Sequence, residues 1–148
     1  MSTFYFLSLN GLTMAALLFI MASGLTLAFG LMRVVNLAHG AFYLLGGYVG
    51  VHVMSDSGSL ALGILAGGGI ALAGGLLRER FLLQRVRGLD LSEALLTIAV
   101  GLIIADALLV IYGGQPVSLP LSRELRAPVD LGVMMYPYFR VLIMVFAV

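Results

Sequence analysis

Two runs of 21 residues, Leu12–Met32 and Val34–Met54, carry no formal charge and are separated by Arg33 alone. A bilayer core of about 30 Å is crossed by roughly 20 apolar residues in helical form, so each run is long enough to span it. With a single residue between them, the two runs form either a tight hairpin or one crossing followed by a re-entrant piece. Composition agrees. Of all residues 61% are apolar and 10% charged, and the mean hydropathy is +1.12, against about 45–50% apolar and 25% charged in soluble domains. The 19 glycines suit membrane helices, where small residues let backbones approach. The first run is not read as a signal peptide. It lacks a basic leading segment and exceeds the usual h-region of about 7–15 residues.

Further spans follow by hydropathy. Leu60–Leu77 is entered through the turn-rich Ser55–Ser59, and Ala94–Tyr112 is interrupted only by Asp106. A charged segment, Arg78–Glu93, separates them, and a proline-containing connection with Pro116, Pro120 and Pro128 runs from Gly113 to Pro137. Tyr138–Val148 covers about half a bilayer at 1.5 Å per residue, so the sequence is expected to be part of a longer protein. The expected fold is therefore an all-α integral membrane protein. It is a polytopic helical bundle of one domain over 1–148, with about four complete transmembrane helices and a fifth cut short. Arg78, Arg80, Arg85 and Arg87 cluster in one loop, which the positive-inside rule places in the cytoplasm. That leaves Ser55–Ser59, the Gly113–Pro137 connection and the N-terminus outside. Asp90-x-x-Glu93 has the form of a capping box for the fourth helix.

Polar residues inside the spans mark candidate sites, because they are costly in hydrocarbon. At about 100° per residue, Asn36, His39, Gly40, Tyr43, Gly47 and Gly50 share one helical face. That face either lines a solute path or clamps the second helix against the first. Asp106 and Thr97 form a second candidate, for packing or for the pathway. Gly63-x-x-x-Gly67 reads as a packing groove, and the triplet Gly67–Gly69 as a potential helix break. No metal site is expected: cysteine is absent and His52 lies about 20 Å along a helix from His39. There is no phosphate loop and no lysine, and no catalytic constellation can be assembled. Nor is there a basic patch suited to nucleic acid.

Asn10-Gly-Leu-Thr13, Gly24-Leu-Thr-Leu27, Gly30-Leu-Met-Arg-Val-Val-Asn-Leu-Ala-His-Gly40 and Leu45-Gly-Gly-Tyr48 occur here in a characteristic order and spacing. In these motifs the chain resembles the Liv-type membrane permeases of branched-chain amino acid ABC importers, over about their first half. Thr97-Ile98, Ile111-Tyr-Gly113 and Arg85-Val-Arg-Gly88 are similar to the same family. The resemblance implies a transport subunit of the bacterial inner membrane. Its solutes would be branched-chain amino acids or related amides, urea or organic acids. Its partners would be a second permease subunit, cytoplasmic ATPase subunits that use the ATP, and a periplasmic solute-binding protein. No cofactor is expected on this chain. A passive channel for small neutral solutes is the alternative compatible with the same glycine-rich, polar-striped helices.

Overall fold

The computed structural model describes residues 2–32, 36–114, 117–119, 127–130 and 135–147. Two compact units are present: Met1–Gly24 with Leu121–Val148, and Leu25–Pro120. Helix α1 (Ser2–Met32) contributes to both. It begins well before the expected start at Leu12, because Thr3–Leu9 is apolar and free of proline and glycine, so nothing stops it.

In the larger unit α2 (His39–Ser57) and α3 (Leu60–Arg78) form a hairpin. The expected turn at Ser55–Ser59 is shorter than its composition suggests. The Ser55 and Ser57 hydroxyls donate to the carbonyls of Val51 (2.9 Å) and Val53 (2.6 Å) and so remain helical. Gly58 then turns the chain at φ 68° and donates its N–H to Met54 O at 2.9 Å. Ser59 caps α3, its Oγ accepting from Leu62 N at 3.4 Å.

Glycines set how close α2 and α3 come. A Cβ placed on Gly50 would stand 2.9 Å from Gly63 O, and one on Gly63 2.7 Å from Gly50 O. One on Gly46 would lie 3.0 Å from Gly67 O, and the reverse approach is closer still. Two glycines four residues apart on each helix thus let backbone touch backbone. Gly63-x-x-x-Gly67 is the packing groove its spacing predicts. The triplet Gly67–Gly69 does not break the helix, since α3 is continuous through it.

The segment Arg78–Glu93 is not the loop its charges suggest. Helix continues from α3 through a π-helical turn at Glu79–Leu83 into α4 (Gln84–Val86). Between Arg78 and Arg87 no glycine or proline interrupts good helix formers, and the chain breaks only at Gly88, φ 87°. Arg87 pairs with Glu79 at 2.7 Å, while Arg80 and Arg85 are exposed. Helix α5 (Asp90–Tyr112) starts one residue earlier than a capping box at Asp90 requires. Its buried Glu93 instead accepts from the backbone N–H of Gly88 at 3.0 Å. Gly113, at φ 70°, ends it.

Among the described residues three helices are long and apolar enough to cross a membrane: Thr3–Leu31, Leu60–Val86 and Asp90–Tyr112. The chain is a polytopic helical membrane protein. Helix α2, expected as a span from Val34, begins only at His39. Residues 33–35 lie outside the described residues, and Leu37 and Ala38 form a turn. At 19 residues α2 is about 28 Å long, but it is too rich in glycine, tyrosine and histidine to join the three.

The smaller unit pairs β1 (Pro128–Asp130) antiparallel with β2 (Met135–Pro137), and β2 leads directly into α6 (Tyr138–Phe146), the nine-residue counterpart of the shortened last span. The prolines at 116 and 120 and the charges at 123, 124 and 126 lie outside the described residues. Tyr136 is fully buried. Its hydroxyl donates to Asn10 Oδ1 at 3.1 Å and shares a 2.9 Å bond with Thr13 Oγ1. Arg140 also bonds Asn10 Oδ1 and lies over the Tyr136 ring, 5.8 Å from its centroid. Substituting Tyr136 with phenylalanine removes both of its bonds, leaving Asn10 Oδ1 to Arg140 alone and the Thr13 hydroxyl to the Leu9 carbonyl alone. The expected cost is about 1–3 kcal/mol, to be read as a lower melting temperature of the protein in detergent.

Candidate functional site

The polar site is built on the turn before α2. The N–H of His39 donates to Asn36 O at 3.2 Å, and that of Phe42 to Ala38 O at 3.0 Å. Helix α5 holds this turn from behind. The fully buried Thr97 accepts from Leu37 N at 3.3 Å and donates to Ala94 O at 2.9 Å. One helical turn on, Gly101 gives the backbone room: a Cβ there would lie 3.4 Å from Ala38 Cα. Thr97 therefore fixes the turn that carries Asn36.

From α3, Arg78 turns inward and donates to Asn36 Oδ1. Its guanidinium carbon lies 5.3 Å from the centroid of the Phe42 ring, a cation–π distance. Phe42 in turn fills the space left by Gly74, where a Cβ would stand 2.8 Å from the ring. The Arg78 Nε is buried and has no hydrogen-bond partner among the described residues. Its neighbour Glu79 is engaged by Arg87, so the hydrogen-bond partner of the Arg78 cation is a neutral amide. A cation of this kind in an apolar bundle favours a carboxylate or a strong carbonyl acceptor.

A cleft of about 360 Å³ opens here, lined by Asn36, His39, Phe42, Tyr43, Ala71, Gly75 and Arg78. A second, of about 260 Å³, lies further along α2 between Tyr43, Leu44, Gly47, Tyr48, Val51 and Val117. Tyr48 stacks against Tyr112 with ring centroids 4.7 Å apart, and His52 meets Tyr112 edge-on at 6.3 Å. His52 also faces Asp56 at 3.7 Å, both side chains being exposed.

The structure brings Asn36, His39 and Tyr43 together as the helical-face argument expects, although Asn36 precedes the helix instead of lying on it. Gly47 belongs to the second cleft, while Gly50 packs on α3. Gly40 and Asp106 line neither cleft, and Asp106 is exposed. Of the four arginines read as a loop cluster, Arg78 alone enters the site. Sequence reasoning missed its role, and with it Phe42, Ala71 and Gly75. The available signal was the small residues at 71, 74 and 75, which leave room beside α3 for a long side chain.

Long apolar helices, glycine-mediated backbone contact and clefts lined in part by polar side chains define the class: a helical membrane protein. Residues 7–148 match the family described as "Branched-chain amino acid transport system / permease component". The chain belongs to that permease family, and its role is that of a transport permease. No curated protein and no solved structure matches it.

Proposed function

We propose that this permease is the membrane subunit of an ATP-driven importer of branched-chain amino acids or related small amides, urea or organic acids in the bacterial inner membrane. It works with a second permease subunit, ATPase subunits that bind and hydrolyse ATP, and a periplasmic solute-binding protein. Asn36, His39, Tyr43 and Arg78 line the solute path, Gly47 continues it, and Thr97 holds the turn that carries Asn36. Asp106, exposed on α5, faces a neighbouring subunit rather than the solute. The observation that carries this reading is the Arg78 guanidinium, turned into the cleft between α2 and α3 and bonded to the neutral Asn36.

The test is uptake of labelled leucine, acetamide and urea by proteoliposomes that contain the permease, its ATPase and its binding protein. Uptake should require ATP inside the vesicles and stop when the ATPase is omitted. Solute flux that persists without ATPase or ATP would identify a passive channel instead.

A further inference from the structure

Tyr43 belongs to the walls of both clefts. The two cavities follow one another along a single face of α2: His39 and Tyr43 border the first, Tyr43, Gly47 and Val51 the second. From His39 to Val51 is about 18 Å of helix, so together they cover more than half of a bilayer core. Their chemistries differ. The first offers a guanidinium, an amide and an imidazole. The second offers two tyrosine rings, three aliphatic side chains and the bare backbone of Gly47, where an added Cβ would meet nothing within 4 Å. The Tyr43 side chain is half exposed, so its ring is not locked into a core.

We propose that Tyr43 is the partition between an uncharged and a cationic compartment of the solute path, and that it controls passage from one to the other. A solute with an aliphatic end and a carboxylate or amide end meets a matching wall on each side of the ring, and must displace the ring to pass. As the single aromatic wall common to both clefts, Tyr43 sets the size of solute that crosses. This inference rests on the reading of α2 as path-lining, but its test does not depend on transport.

The chain has no cysteine, so single cysteines report position cleanly. Gly47→Cys and Gly75→Cys place one thiol in each cleft, and at both positions an added Cβ meets nothing within 4 Å. In right-side-out and inside-out vesicles of the assembled transporter, without ATP, a membrane-impermeant methanethiosulfonate should label the two thiols from opposite faces. Adding Tyr43→Ser should make the Gly75→Cys thiol reactive from the Gly47 face, with at least a 10-fold faster rate. Tyr43→Phe, which keeps the ring, should not. Labelling of both thiols from one face with Tyr43 intact would overturn the partition. So would unchanged rates in Tyr43→Ser at matched membrane levels. If Tyr43→Ser fails to accumulate, the wild-type pair still decides. Failure of ATP-dependent uptake with this labelling pattern intact would count against the importer reading and leave the partition standing.

Discussion

Gly67→Leu is expected to abolish accumulation of the protein in the membrane. Gly67 is buried where α2 and α3 touch, and any side chain there collides with the carbonyl of Gly46, a backbone atom that cannot rotate away. Inserting bulk into a filled contact costs about 1–3 kcal/mol and occasionally more. Here four carbons enter where not even one fits, so the helices must separate and the Gly50–Gly63 contact is lost with them. That is a large share of a total stability of about 5–15 kcal/mol. Gly68→Leu supplies the control, since Gly68 is exposed and a Cβ there meets nothing within 4 Å. Immunoblots of membranes and thermal unfolding in detergent measure both. Equal abundance and equal melting temperature for the two variants would show that the glycine crossing does not hold the hairpin.

Arg78→Ala is expected to lower uptake by about 10- to 100-fold, roughly 1.4–2.7 kcal/mol at about 1.36 kcal/mol per tenfold. The substitution removes the cation from the cleft and leaves Asn36 Oδ1 without the donor that holds it. Arg78→Lys restores charge but not the planar fork that can bond Asn36 and a solute carboxylate at once, so it should rescue only in part. If Asn36 acts through Arg78, Asn36→Ala and Arg78→Ala should be strongly non-additive when combined. Arg85→Ala, at an exposed position outside both clefts, should stay within about twofold of wild type. Uptake by Arg78→Ala equal to that of Arg85→Ala at matched membrane levels would remove Arg78 from the solute path.

The helical membrane architecture was legible because hydropathy and glycine spacing act locally, through length and close approach. Gly63-x-x-x-Gly67 is the clearest instance: four-residue spacing of small residues is sufficient to specify a groove. The polar stripe was legible in part, for the same reason. His39 and Tyr43 obey helical periodicity, but Asn36 sits in a turn that Thr97 and Gly101 hold from α5, a partnership across 60 residues that no local pattern carries. Arg78 misled for a different reason. Charge counting treats an arginine at the end of an apolar run as a loop anchor, yet here the helix does not end, and the side chain enters a cleft that it lines together with Gly75 and Ala71. The Tyr136–Asn10–Thr13 network joins residues about 125 apart, and only the Asn10-x-x-Thr13 pair within an apolar helix hinted at it.

Among the described residues, α2 is not one of the three helices long and apolar enough to cross a membrane by length and composition. Its polar residues, Asp56 above all, offset the few tenths of a kcal/mol that each leucine or valine contributes to insertion. The backbone contact between their glycines ties it to α3, which does meet that criterion. On the reading of α2 as path-lining, its polarity and its need of a packed partner have one origin, so a variant that loosens the hairpin is expected to lose abundance as well as uptake.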